Sequence, residues 1–288
     1  MAADAYDLSL PETRGTSVVF ASPHSGSDYP ADFLARSVLD ERAIRSSEDA
    51  FVDRLFSSAT AHGAPLLTAR VPRAYLDLNR STDELDPALI DGVRSAAHNP
   101  RVSSGLGVIP RVVANGRTIY RGKIGIEEAR ARIRDHWMPY HARLSSLIDE
   151  SLLTFGEAIL IDCHSMPHEA IDSMSHPKGY RPDVVLGDRF GASARGDVMD
   201  RVEQAFAAAG LRVIRNAPFA GAYTAQHYGR PSRRQHVVQV EIDRALYMDE
   251  RTIRPHAGFE AFRLLLDGVI GKIAAIGRPR RVLPLAAE

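Results

Sequence analysis

Glu157-Ala-Ile-Leu-Ile-Asp-Cys-His-Ser165 holds a short apolar run that breaks off into polar residues. Such a run is too short for a buried helix, and its isoleucines favour extended backbone, so residues 157–163 read as a buried strand. The strand delivers Asp162, His164 and Ser165 to its carboxyl end. Ser17-Val-Val-Phe-Ala-Ser22 repeats the design, with Pro23 stopping the strand and His24-Ser-Gly26 beginning the loop.

Outward from these two strands, further strands are expected at residues 65–71, 183–186, 211–214 and 236–242, with a short extended piece at 75–80. Phe51, Val52, Leu55, Phe56 and Ala59 recur at helical spacing, Ser46 or Ser47 can cap the start and Gly63 can stop it, which predicts a helix over 49–63. Other helices are expected over 125–154, with Pro139 marking a kink, over 197–209, closed by Gly210, and over 258–276. Residues 81–117 lack a firm period and read as a long loop with room for a hairpin, and 216–234 as a polar loop. Strands alternating with helices predict an α/β fold, a three-layer arrangement of a mixed central sheet covered by helices, and the lack of a linker predicts one domain over 1–288. In such sheets ligands bind beyond the carboxyl ends of the strands.

The 36 basic and 36 acidic side chains cancel, which disfavours nucleic acid and anionic membranes as partners. One cysteine, Cys163, excludes an internal disulfide and every cysteine-rich zinc site. The amino terminus lacks the basic and apolar regions of a signal peptide, and no window has the apolar length of a membrane span. A cytoplasmic protein is the expectation, its oligomeric state open.

Two histidines placed directly after separate buried strands suit one metal, because strand ends hold neutral imidazoles rigidly. His24 and His164 are therefore the metal candidates, while His62, His98, His136 and His141 are given no metal role. A catalytic zinc takes a third ligand, often a carboxylate, and leaves a place for water. Glu48 or Asp49 can supply it. Asp162, two residues before His164, shares its face of the strand and can support an imidazole. Glu241 interrupts an apolar strand, so it is paired, hydrogen-bonded or functional, and it is the candidate base. Its bland alternative is an ion pair with Arg244 or another basic side chain. Arg80 beside Asn79 offers a fork and an amide for a substrate carboxylate. Arg73 is the candidate for polarising a scissile carbonyl, and Tyr223 and Arg244 are further candidates for lining the substrate pocket. Ser165 lacks the elbow motif of a serine hydrolase.

The segments Ser22-Pro-His-Ser-Gly26, Glu48-Asp-Ala-Phe-Val-Asp53, Asp77-Leu-Asn-Arg80, Asp162-Cys-His-Ser165, Asn216-Ala-Pro-Phe-Ala-Gly221 and Gln239-Val-Glu-Ile-Asp-Arg-Ala-Leu-Tyr247 together resemble the N-formylglutamate amidohydrolase family, in that family's order and across nearly the whole chain. The resemblance implies a zinc-peptidase-like fold, one zinc ion and hydrolysis of N-formyl-L-glutamate to formate and L-glutamate in histidine breakdown. It further implies His24, Asp49 and His164 as zinc ligands, Glu241 as general base and acid, and Asn79 with Arg80 on a substrate carboxylate. Asp77-Leu-Asn-Arg80 also resembles aspartoacylase and succinylglutamate desuccinylase, which act on N-acylated acidic amino acids. Zinc carboxypeptidases and these acylases place a glutamate three residues after the first histidine, where Ser27 stands here. The third ligand therefore comes from elsewhere in the chain. Hydrolysis of another N-acyl amino acid or peptide, and metal-free binding of an acidic amino acid, are the competing readings.

Overall fold

The computed structural model describes residues 5–93, 99–172 and 181–279. Seven strands form a mixed central sheet: β1 (Tyr6–Ser9), β2 (Val18–Ser22), β3 (Leu66–Ala69), β4 (Ala158–Met166), β5 (Val184–Gly187), β6 (Val213–Arg215) and β7 (Gln235–Asp243). Their spatial order is β1-β3-β2-β4-β7-β5-β6. The central strands β3, β2, β4 and β7 run parallel, while β1 is antiparallel to β3 and β5 is antiparallel to β7.

Side-chain alternation along each strand feeds two cores. Phe20, Ile159, Ile161, Val238 and Val240 bury against one set of helices, and Val19, Ala21, Leu160 and Val237 point the opposite way. The principal helices are α1 (Val52–Leu55), α2 (Met138–Phe155), α3 (Gly196–Ala207), α4 (Tyr223–Tyr228) and α5 (Phe259–Ala274). Val198, Met199, Val202 and Phe206 of α3 and Leu266, Ile270 and Ile273 of α5 close the first core. Tyr140, Leu144, Leu147 and Ile148 of α2 close the second. Burying a side chain of this size contributes roughly 1.5–3 kcal/mol, so both helical layers hold the sheet firmly. Among the described residues no helix is long and apolar enough to cross a membrane.

Several expectations are altered by the structure. The expected helix over 49–63 is broken: Phe51 sits at φ 68°, only Val52–Leu55 is α-helical, and Ser57–His62 is a 3-10 turn. The Asp49 amide donates to the His24 carbonyl at 3.0 Å, which holds the residues before Phe51 at the site instead of in a helix. Residues 75–80 form turns rather than a strand, with the Tyr75 amide donating to the Pro72 carbonyl. The kink at Pro139 takes the form of a π-helical turn, Ile133–Trp137, ahead of α2, consistent with the amide hydrogen that proline lacks. The loop over 81–117, apart from 94–98, which lie outside the described residues, carries a short helix at Pro100–Ser103 and an antiparallel bridge between Val112 and Thr118. The polar loop over 216–234 contains α4.

The register of the parallel strands sets the site. In β4 and β7, Asp162 is the partner of Gln239 and His164 of Glu241, while Ala21 of β2 is the partner of Asp162. His24 therefore leaves β2 at the sheet edge where β4 presents His164 and β7 presents Glu241.

Candidate active site

His24, Asp49 and His164 are buried together, and one ligand atom from each lies within 4.8 Å of the others. The Nδ1 atoms of the two histidines are 3.1 Å apart. Asp49 Oδ2 lies 2.9 Å from His164 Nδ1 and 3.4 Å from His24 Nδ1.

The far sides of both rings explain why this cluster needs something positive between its members. His24 Nε2 is 2.7 Å from Asp77 Oδ1, and His164 Nε2 is 3.1 Å from Asp162 Oδ2. A carboxylate can only accept, so each histidine presents Nε2–H outward to it and turns an Nδ1 lone pair inward. Two lone pairs and a carboxylate oxygen then face one another, on buried side chains that border the pocket. A divalent cation fits this donor set, since two imidazoles and one carboxylate is a recurrent catalytic zinc ligand set. A proton is the alternative occupant. Burial opposes charge on His164, but Asp162 and Asp49 outweigh it and raise the imidazole well above its usual value. Burial likewise opposes charge on Asp49, yet bonds from His164 and His24 hold its carboxyl well below the carboxylate range.

Between the two acidic candidates, Asp49 enters the cluster and Glu48 points away. Glu48 accepts from Arg45 Nε at 2.9 Å and from the Tyr29 hydroxyl at 2.5 Å. The second oxygen of Asp49 accepts from Arg244 Nη2 at 3.0 Å. Arg244 also donates through Nε to Ser165 Oγ at 3.1 Å and through Nη1 to the Ser46 carbonyl at 3.3 Å. Its fork thereby holds Asp49, and among the described residues it forms no ion pair with Glu241.

Glu241 is 8% exposed and, among the described residues, accepts a hydrogen bond from Gln239 Nε2 to Oε1 at 2.9 Å. Burial lifts its carboxyl to about 7; His164 pulls it down and Asp49 pushes it up. Arg73 donates through Nε to Asp77 Oδ2 at 2.9 Å, and although burial opposes its charge, Asp77 and Asp49 raise its pKa. Arg80 is 7% exposed and donates to the carbonyls of Leu106 and Asn79. Among the described residues it has no carboxylate within ion-pair distance.

Asn79 reaches the pocket wall but has its amide occupied: Nδ2 lies 3.3 Å from Asp162 Oδ2 and 3.2 Å from His164 Nε2, and Oδ1 accepts from the Thr224 amide at 2.8 Å. It braces Asp162, the carboxylate behind His164, and the start of α4 instead of standing free for a carboxylate. The Tyr223 ring packs among Trp137, His141 and His227, outside the pocket lining. His62 pairs with Asp267 at 2.7 Å, and His141, which burial lowers to about 4, bonds the Tyr228 hydroxyl and the Leu78 carbonyl. His136 lies edge-on to Tyr75, and His98 lies outside the described residues.

His24, Asp49, Arg73, Asn79, Arg80, His164, Glu241 and Arg244 all line one pocket of about 640 Å³ at the carboxyl edge of the sheet. Asp77 and Gln239 are the supporting residues that sequence reasoning missed. Each is a polar residue two positions before a candidate, Asn79 or Glu241, and that spacing is the signal that could have found them.

The model of the N-formylglutamate amidohydrolase family matches residues 16–248, a span that takes in every residue of this pocket. A Pseudomonas aeruginosa protein named N-formylglutamate deformylase is 30% identical over 269 residues, covering 91% of this chain and 94% of its own. A Pseudomonas putida protein of the same name is 27% identical over 236 residues, covering 81% and 82%. The crystal structure of N-formylglutamate amidohydrolase from Ralstonia eutropha JMP134 superposes with a TM-score of 0.88 at 34% identity, covering 96% of this chain and 99% of that one. With the match running from β2 through β7 and the fold shared over nearly its full length, the chain belongs to the N-formylglutamate amidohydrolase family.

Proposed function

We propose that the protein hydrolyses the amide of an N-acylated acidic amino acid, foremost N-formyl-L-glutamate to formate and L-glutamate, using one zinc ion held by His24, Asp49 and His164. The observation that carries this reading is the convergence of two Nδ1 lone pairs and one carboxylate oxygen beside a buried Glu241 raised toward neutrality. The names of the full-length relatives support the formyl group and the glutamate.

Bound zinc would supply Lewis acidity, acidifying water and polarising an amide carbonyl, and another divalent first-row ion fits the same imidazole and carboxylate donors. Glu241 takes the proton of the attacking water on Oε2, because Oε1 is engaged by Gln239, and returns it to the departing nitrogen. Arg73, steadied by Asp77, offers positive charge where the carbonyl oxygen becomes negative. Arg80 takes a substrate carboxylate, since among the described residues no carboxylate lies within ion-pair distance of it. Asp77 and Asp162 keep the two imidazoles oriented, Asn79 braces Asp162, and Arg244 keeps Asp49 aimed.

We further take residues 1–288 as one amidohydrolase domain, a reading supported by a single sheet that draws strands from Tyr6 to Asp243. A cytoplasmic setting in histidine breakdown is supported by the solitary cysteine and by the family resemblance.

Zinc content and formate release from N-formyl-L-glutamate, measured on one purified sample before and after chelation, test the reading. About one zinc per chain, with release lost on chelation and restored by zinc, is expected. Zinc without release redirects the search to other N-acyl amino acids or peptides. Absence of both overturns the proposal in favour of a binding protein.

A further inference from the structure

Four guanidinium groups reach the pocket: Arg73, Arg80, Arg101 and Arg244. Two are matched by buried carboxylates, Arg73 by Asp77 at 2.9 Å and Arg244 by Asp49 at 3.0 Å. Arg80 and Arg101 are not. Among the described residues the Arg101 side chain has neither a hydrogen-bond nor an ion-pair partner, and burial lowers the Arg80 guanidinium below its usual value, with Asp77 pulling it up and Arg73 and Arg101 pushing it down. Unmatched charges of one sign on one wall attract an anion from solvent.

The backbone that carries Arg101 is fixed. Asn99 caps its short helix, the Leu106 amide donates to the Arg101 carbonyl at 2.9 Å, and the Leu106 carbonyl accepts from Arg80 Nε at 3.0 Å. Gly107 sits so close to Glu84 that an added Cβ would fall 2.3 Å from its carbonyl oxygen. Arg80 and the segment bearing Arg101 are thus one built unit, with Arg80 in the wall and Arg101 at the exposed rim.

We propose that Arg101 is a specificity-determining residue: it binds the side-chain carboxylate of the substrate while Arg80 takes the other carboxylate, so the pocket selects N-acylated dicarboxylic amino acids over their neutral amides. This rests on the hydrolytic reading above. Two carboxylates on one small molecule match two unmatched guanidinium groups, and exposure suits Arg101 to the end of the substrate that lies farther from the buried ligands. An arginine fork on a carboxylate is a charge-assisted contact that a carboxamide cannot replace.

The test compares wild type, Arg101→Gln and Arg101→Lys, all zinc-loaded, on N-formyl-L-glutamate and N-formyl-L-glutamine. Arg101→Gln should lower kcat/KM for the glutamate compound about 10- to 100-fold, mainly through KM. The glutamine compound should change far less, and Arg101→Lys should keep part of the preference. Equal losses on both compounds, or no loss on either, overturn the proposal. Calorimetric binding of L-glutamate and L-glutamine to the same proteins separates this idea from the reaction. Selectivity for L-glutamate that Arg101→Gln erases supports the subsite even if no formate is released, and wild type that does not discriminate overturns it even if formate is.

Discussion

His24 Nδ1 and His164 Nδ1 lie 3.1 Å apart, although each imidazole already commits its Nε2 to a carboxylate. Two neutral rings so arranged repel, and the repulsion is relieved by one cation or one proton. In the metal-free protein the proton resides on His164, raised well above 6.5 by Asp162 and Asp49 against the opposing effect of burial. That proton stabilises the metal-free fold fully below pH 6.5, and the contribution is lost as the pH rises through the raised value. Zinc must displace it, so apparent zinc affinity should fall about tenfold for each pH unit below that value. Calorimetry in buffers of different ionisation enthalpy should report about one proton released per zinc at neutral pH. Uptake of zinc with no proton release would mean that this pair of nitrogens is not where the metal goes.

Asp77 stands behind His24 as Asp162 stands behind His164, and it also anchors Arg73. Burial works against its charge, but Arg73 and His24 hold its carboxyl well below the usual range. Asp77→Asn keeps the shape and removes the charge that makes His24 a stronger donor. Zinc affinity should fall roughly 10- to 100-fold in a chelator competition, with the far-ultraviolet spectrum unchanged. Undiminished affinity would leave Asp77 with the anchoring of Arg73 alone.

Arg244 compensates Asp49 from the side opposite the histidines. Arg244→Gln strands a buried carboxylate, and breaking such a pair costs about 3–5 kcal/mol. Zinc neutralises the same carboxylate, so the loss should be large in the metal-free protein and much smaller in the loaded one. Urea unfolding with and without zinc reads this difference directly. Equal destabilisation in both states would show that Arg244 acts through packing and not through Asp49.

How far these parts were visible in the sequence follows from how local their causes are. β2, β4 and β7 announce themselves as short β-branched runs, and their carboxyl ends carry His24, His164 and Glu241 wherever the strands fall in the sheet. Asp162 is legible for the same reason, because alternation along β4 puts it on the face of His164. The choice of Asp49 over Glu48 is not local. It depends on the left-handed turn at Phe51 and on Arg45 and Tyr29 claiming Glu48, none of which periodicity reports. The same holds for Asn79 and Arg244, whose residue types suit a substrate carboxylate equally well but whose partners, Asp162 with Thr224 and Asp49 with Ser165, come from distant strands and loops. Tyr223 belongs to a helix hidden in a stretch that reads as a polar loop.

Glu241 makes the sharpest pH prediction. Burial places its carboxyl at about 7 in the metal-free protein, above the usual 4.5. A raised acid is protonated in the fold at pH values where the unfolded chain has lost its proton. Its stabilising contribution is therefore present below pH 4.5 and lost as the pH climbs to about 7, a slope that Glu241→Gln should remove. For catalysis the sign is the reverse, because a base works only when unprotonated: kcat/KM should rise with pH on an acid limb and level off above it. A cation bound beside Glu241 adds a downward pull, so the midpoint in the loaded enzyme should fall at or below pH 7. Glu241→Gln should retain its zinc and lose about 10²- to 10⁴-fold in kcat. If the variant keeps wild-type turnover and the same acid limb, the proton is carried by another group and Glu241 serves only to shape the pocket beside Gln239.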